Sequence, residues 1–307
     1  MTNNCDFALV CKSYIGDIRR LERLLVSIQK YNADNLPVFI IVPRSDLEVC
    51  QHQTQHAGLN STNHQWLTDE GIVAAHPQAV SHQLIEKYHK AAGSISQQII
   101  KSEAWRAIGC EAYLSLDSDS IFIKPFHKLD FVSVSGMPYT IMHQAKDMYQ
   151  VAINRGYAVQ YEHFVGLAQT VQQVFGRQGP IYSFLPQPFL WSAKVWQALH
   201  DQWLAPKNQT LWDAIAFCPS EAQWYGEALL HLEPILVSPI EPLFRVYHFD
   251  WQYDLYRKWG ESTQILSDQY LGVCLQSNWE VAMDPVGGRS FASKAIRQIK
   301  RWFKLHR

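Results

Sequence analysis

No C-x-x-C pair occurs in this 307-residue chain, and its six cysteines (Cys5, Cys11, Cys50, Cys110, Cys218 and Cys274) follow no zinc-binding spacing. Several lie in apolar, strand-like runs, where a free cysteine behaves as a small hydrophobe. That argues against a disulfide framework and for a reducing compartment. The N-terminus lacks a basic stretch followed by an apolar one, so no signal peptide is expected. Long apolar runs are missing as well: the longest, residues 36–43, falls far short of a bilayer. The expectation is a cytoplasmic protein. Net charge is only −1, which excludes a whole-molecule electrostatic nucleic-acid binder. There is no glycine-rich phosphate loop, internal repeat, low-complexity tract or linker.

What is present is globular: 47% apolar and 18% charged residues in a chain long enough for a sizeable core. The 11 Trp, 14 Tyr and 14 Phe can fill that core, and such rings also line clefts that stack on bases and sugars. Residues 7–11 read as a strand. After Asp17, Ile18, Leu21, Leu24, Leu25, Ile28 and Tyr31 recur at helical spacing. Residues 36–42 form a continuous apolar run closed by Pro43, the signature of a strand buried on both faces. A helix is expected over 46–55, loop over 52–64, a strand at 71–75 and a second firm helix over 94–108. Tyr113-Leu114-Ser115-Leu116 is a strand running into Asp117-Ser118-Asp119, followed by apolar Ile121, Phe122 and Ile123. This β-α-β-α-β order implies an α/β fold with a mostly parallel sheet, whose ligands bind at the carboxyl ends of the strands. The second half is less regular: helices over 145–175, 192–203 and 220–232, the last with a Ser220/Gln223 capping box, and short strands over 234–248. The expected organisation is one domain over 1–290, with a regular half, 1–126, and a less regular half, 127–290, plus a tail, 291–307.

Asp117 and Asp119 carry the chemistry. Two carboxylates one residue apart, just past a strand, can share a hard divalent cation, Mn²⁺ or Mg²⁺, that neutralises a diphosphate as it leaves. A bare D-x-D is also a common solvated turn. Here apolar strands stand on both sides of it, after an α/β half, which favours function.

The stretch QQIIKSEAWRAIGCEAYLSLDSDSIFIKPF, residues 97–126, resembles glycosyltransferases of the GT-A type, with a Rossmann-like sheet. More narrowly, the chain is similar to a bacterial glycosyltransferase-like family linked to surface polysaccharide or lipopolysaccharide synthesis. The likeness spans nearly the whole chain through Lys12-Ser13-Tyr14 with Asp17, Gln97-Gln98 with Lys101, the D-x-D segment, Ser220-Glu221 with Tyr225-Gly226, Tyr247-His248, and Gln276-Ser277-Asn278-Trp279. The resemblance implies a nucleotide-sugar donor, with UDP as the default nucleotide, bound by the half 1–126, and a glycan or lipid-linked acceptor, bound by the half 127–290. It implies that Asp119 ligates the metal, that Asp117 contacts metal, ribose or both, and that His248 completes the coordination. Ser13, Tyr14 and Asp17 would hold base and ribose, and Gln98 and Lys101 would face the donor. Glu221 is the candidate acceptor-side base, with Asp250 and Asp254 as rivals. Each has an ordinary alternative: a helix-start charge for Asp17 and Glu221, a solvated helix lysine for Lys101, a structural imidazole for His248. Trp191, Trp224 and Trp251 suit a sugar cleft or the core equally.

A haloacid-dehalogenase-like phosphatase also begins on a strand ending in D-x-D, but it needs a later acidic pair that the residues after Ser120 do not offer. A non-catalytic sugar-nucleotide-binding protein is the other reading, and the retention of both aspartates and a late histidine stands against it. The tail carries Lys294, Arg297, Lys300, Arg301, Lys304 and Arg307 with no acidic residue, which leaves the rest of the chain at −7. Ala292, Ala295, Ile296, Ile299 and Phe303 form an apolar helical stripe beside Trp302. A helix of this kind suits the anionic face of the inner membrane, at about 1 kcal/mol per well-placed basic residue, as well as packing on its own domain. The membrane reading predicts that the protein co-sediments with phosphatidylglycerol vesicles at low salt and that deletion from Ser293 onward releases it. Sedimentation unchanged by the deletion, or none at all, would refute that role.

Overall fold

The computed structural model describes residues 5–59, 63–146, 149, 150, 153, 158–248 and 250–276. The basic tail and Ser277-Asn278-Trp279 lie outside these residues. In the first half come β1 (Cys5–Lys12), α1 (Ile18–Tyr31), β2 (Val38–Val42), α2 (Leu47–His56), β3 (His64–Thr68), α3 (Asp69–Ala74), α4 (Leu84–Lys90), α5 (Gly93–Ile108), β4 (Cys110–Asp117) and β5 (Ser120–Phe122). The second half adds β6 (Thr140–Ile141), α6 (Ala158–Val174), β7 (Phe189–Ser192), α7 (Ala193–Ala198), α8 (Leu211–Phe217), α9 (Glu221–Leu232), β8 (Pro239–Ile240), β9 (Phe244–Tyr247), α10 (Asp250–Lys258), α11 (Thr263–Gln269) and β10 (Gly272–Leu275).

The main sheet runs β3-β2-β1-β4-β7, with the first four strands parallel and β7 antiparallel at the edge. Side chains alternate across a strand, so one face of β1 carries Phe7, Leu9 and Cys11 and the other Ala8 and Val10. Each set joins a separate buried cluster, one packed largely under α1, the other under α5, α7 and α9. β2 is buried at all five positions, as its unbroken apolar run requires. A second sheet, β5-β10-β9, has β10 antiparallel to β5 and parallel to β9.

Several sequence expectations change. The strand expected at 71–75 is helix α3, and the third strand lies just before it, in β3. β3 sits at the sheet edge, where His64, Gln65 and Thr68 can remain partly exposed, so its apolar signal is weak. Thr68 caps α3, its hydroxyl accepting from the Gly71 amide at 3.1 Å. Ser220 precedes α9 but its side chain makes no capping bond. Instead Gln98 reaches over from α5, and its Oε1 accepts the Glu221 amide at 3.2 Å. Trp191 and Trp224 are core residues, 2% and 3% exposed, and do not line a sugar cleft. The Trp251 side chain lies outside the described residues. Among the described residues no helix is long and apolar enough to cross a membrane.

His76, just after α3, meets His200 edge-on at 5.1 Å and lies 3.8 Å from Glu103. Burial pushes its pKa down to about 4, against the opposing pull of Glu103; Arg106, His200 and His82 push the same way as burial. The folded pKa lies below the unfolded value near 6.5, so the unfolded chain binds the proton more tightly. Stability is therefore full above about pH 6.5 and falls as pH drops toward 4, by on the order of 2–3 kcal/mol. Urea midpoints taken between pH 7.5 and 4.5 should show this slope in the wild type and a shallower one in His76→Gln. An identical slope in both would refute the assignment.

Candidate active site

The site forms where β1 and β4 end side by side, with Lys12 directly opposite Asp117 in the parallel register. Asp117 closes β4, Ser118 and Asp119 make the turn, and β5 begins at Ser120. Aspartate and serine are natural turn formers, and this turn is tied down from three sides. Ser118 donates to Asp17 at 3.4 Å, and Asp17 in turn pairs with Arg20. From the far end of the chain, the Leu275 amide donates to the Asp119 carbonyl at 3.1 Å. The Cys274 thiol lies 3.1 Å from Asp119 Oδ1, within donating distance. Burial first, then Asp119 and Asp117, raise the Cys274 pKa well above the ordinary thiol value, so it is a protonated donor.

Beneath this turn sits a buried cation. Lys101 is 2% exposed, in a stretch of α5 that is buried from Ile99 to Ala104. Its Nζ lies 2.9 Å from Glu221 and 3.4 Å from Asp117, and it looks onto the Phe189 ring at 5.6 Å. Burial opposes its charge, but Asp117 and Glu221 outweigh that and lift its pKa above the ordinary lysine value. Lys101 is therefore neither a solvated helix lysine nor free to swing toward a ligand. It links β4 to the first residue of α9, whose amide Gln98 already holds. Gln98, Lys101, Asp117 and Glu221 thus come from three distant segments into one network.

The remaining candidates scatter around it. Ser13 is buried, its amide donating to the Ile41 carbonyl at 2.9 Å, and its hydroxyl has no hydrogen-bond partner. Tyr14 is half exposed, and the Asp17 carboxylate raises its phenol pKa. The His248 amide donates to Gln252 Oε1 at 2.9 Å, and burial depresses the ring's pKa to about 4, leaving it neutral at pH 7. His248 lines a separate open cavity of about 770 Å³ together with Arg245, Gln252 and Tyr256. Neither Asp117 nor Asp119 borders that cavity. Asp254 is exposed on α10, and the Asp250 side chain lies outside the described residues.

Lys12 entered the sequence reading only within the Lys12-Ser13-Tyr14 likeness, with no role of its own, and Asp69 was not singled out. Lys12 Nζ lies 3.1 Å from Asp69, whose carboxylate also accepts from the Tyr88 hydroxyl at 2.9 Å. Burial raises the Asp69 pKa against the pull of Lys12. An ionisable residue closing an apolar strand must find a partner, and that was the available signal for Lys12. Nothing in the sequence marks Cys274.

Among the described residues no three His, Cys, Asp or Glu side chains form a group able to hold a metal, so Asp117, Asp119 and His248 are not one. Two carboxylates across a tight turn still fit Mg²⁺ or Mn²⁺. Such ions are often held by one or two carboxylates, with substrate phosphates and water filling the remaining positions.

This is the α/β architecture of known glycosyltransferase structures. The bifunctional glycosyltransferase WbbM, solved without ligand, matches with a TM-score of 0.50 at 11% identity, over 89% of this chain and 46% of that one. Mouse xyloside xylosyltransferase 1, also in its apo form, gives a TM-score of 0.49 at 9% identity, over 89% of this chain and 99% of its own. Identities this low show the fold alone. In sequence, no curated protein matches. Residues 7–284 match the model of DUF6492, described as a family of unknown function, and the chain belongs to that family.

Removing the Lys101 charge would leave the buried Glu221 and the partly exposed Asp117 without their shared cation. Lys101→Met should therefore cost about 3–5 kcal/mol in urea unfolding at pH 7. Adding Glu221→Gln to it should restore part of that loss. A single-variant loss below about 1 kcal/mol would show that the network is open to water.

Proposed function

We propose that this protein is a metal-dependent glycosyltransferase that moves a sugar from a nucleotide-sugar donor to a glycan or lipid-linked acceptor. The observation that carries the reading is the Asp117-Ser118-Asp119 turn at the carboxyl end of β4, beside β1, anchored by Lys101 below and Cys274 behind. In an open, mostly parallel sheet this is where ligands bind. The fold shared with glycosyltransferase structures supports the same reading by analogy.

Asp117 and Asp119 would hold Mn²⁺ or Mg²⁺, which supplies neutralising charge to a diphosphate leaving group. Ser13, with its buried unpartnered hydroxyl, and Tyr14 lie at the end of β1, where base and ribose would rest. Glu221 is the acceptor-side carboxylate. In an inverting reaction it would take the proton of the acceptor hydroxyl, while Lys101, at 2.9 Å, fixes its position. His248 and Arg245 line the larger cavity, whose volume of about 770 Å³ suits an oligosaccharide. UDP is the donor nucleotide we adopt, a hexosyl group the transferred sugar, and bacterial surface polysaccharide or lipopolysaccharide the product class. The basic tail would dock the enzyme on the inner membrane, where a lipid-linked acceptor is presented.

Calorimetry with UDP should show binding that requires Mn²⁺ or Mg²⁺ and collapses in Asp119→Ala. Turnover should fall on the order of 10²–10³-fold in Asp117→Asn and Asp119→Asn, with the proteins still folded. UDP binding that persists undiminished in a chelator would defeat the metal assignment, and full turnover in Glu221→Gln would remove it as the base.

A further inference from the structure

On the outer face of α2 two histidines stand together. Cys50 and Thr54 are the buried residues of this helix, and Cys50 joins the apolar cluster under α1. His52 and His56 each lie two residues beyond one of them, which turns both to the opposite, exposed side, one helical turn apart. A paired set of bonds closes the helix behind them. The Gly58 amide donates to the Gln55 carbonyl and the Leu59 amide to the Thr54 carbonyl, both at 3.0 Å. Gly58, at φ +72°, supplies the left-handed residue that this closure requires. His56 is therefore held in a complete helical turn.

The two Nε2 atoms are 3.0 Å apart, while the ring centroids are only 4.2 Å apart and the ring planes cross at 76°. Each nitrogen lies about 1.15 Å from its ring centre, so a straight N–H···N bond of this length would separate the centroids by about 5.3 Å. The contact between the rings is thus bent. A bent, exposed hydrogen bond competes with water and contributes little toward holding two side chains still. Two imidazoles at right angles on one ion, each at about 2.0–2.1 Å, place their nitrogens about 2.9 Å apart and their centroids about 4.5 Å apart. Both observed distances lie close to these. A tetrahedral ion would spread the nitrogens to about 3.3 Å. Right-angled nitrogen ligands are the preference of Cu²⁺ and Ni²⁺, and imidazole suits both.

We propose that His52 and His56 form a two-imidazole site on α2 for a divalent transition ion of the copper–nickel class, with water in the remaining positions. Among the described residues no third His, Cys, Asp or Glu joins the pair. The site is separate in chemistry from the Asp117–Asp119 turn: nitrogen donors select late transition ions, whereas two carboxylates suit Mg²⁺ or Mn²⁺. It does not depend on the transferase reading. Bridging one turn, the ion fastens the last turn of α2 ahead of the chain that leads to β3.

The test uses the untagged full chain and Ni²⁺ alone, which does not oxidise the free thiols. Calorimetry should show one Ni²⁺ bound on the order of tenfold more tightly than in His52→Gln or His56→Gln, as expected when two ligands fall to one. Both positions are exposed, so both variants should keep the wild-type circular dichroism. Ni²⁺ is paramagnetic and should broaden the amide signals of α2 first, in the wild type and equally in Asp119→Ala. It should also raise the melting temperature of the wild type more than that of either histidine variant, because the pair is assembled only on the folded helix. Equal Ni²⁺ affinity in the wild type and both histidine variants overturns the proposal and leaves the rings a hydrogen-bonded pair only. Broadening centred on the Asp117–Asp119 turn instead of α2 overturns it as well.

Discussion

One buried ammonium organises this molecule. Lys101 cannot stay charged inside a protein without partners, and the desolvation of such an ion costs several kcal/mol. Its position in α5 therefore demands that carboxylates be brought to it. Asp117 arrives from the end of β4 and Glu221 from the start of α9, at 3.4 and 2.9 Å. Once the pairing is made, the end of β4, the long helix α5 beneath it and the first residue of α9 are fixed together. Gln98, one turn before Lys101, holds the Glu221 amide and adds a second tie between the same two helices. The network carries one positive and two negative charges, so its excess negative charge lies where a cation and a diphosphate would meet.

The second constraint comes from the opposite end of the described chain. β10 inserts between β5 and β9, and its Cys274 and Leu275 hold the side chain and carbonyl of Asp119. Asp117 is thus positioned by a cation below the sheet end and Asp119 by a strand beside it. The two carboxylates are fixed by independent devices, which limits the freedom each would lose on taking a shared ion. Preorganisation of this kind is where catalytic groups gain most of their effect.

The first half of the fold was legible because its signals are physical and local. Leu36 to Val42 is continuously apolar because β2 is buried on both faces, and Ile18 to Tyr31 repeats at helical spacing because α1 buries one face. β3 was missed because an edge strand can keep His64, Gln65 and Thr68, and α3 was read as strand because Ile72 and Val73 are β-branched. In the site, Asp117 and Asp119 were found by their place after a strand, and Gln98, Lys101 and Glu221 through resemblance. What could not be read was the pairing among them: a capping box at Ser220 is a local rule, and a glutamine 123 positions away displaced it. Cys274 lay beyond reach for the same reason, since a thiol against a carboxylate 155 residues distant leaves no trace in spacing.

The separation of the charged network from the apolar pocket that α9 shares with α6 and segment 181–185 follows from helix geometry. Glu221 and Gln223 are two residues apart at the start of α9, and such residues do not share a helix face. One face turns to Lys101 and the sheet end. The other turns to α6 and the apolar pocket. A single helix, its first turn held by Gln98 and Lys101 and its second by the Arg177–Glu227 ion pair at 2.6 Å, therefore stands between the charged site and the apolar one. Placing the two on opposite faces of one rigid element lets either change in sequence without disturbing the other. It also makes α9 the element that holds the charged network and the apolar pocket in register.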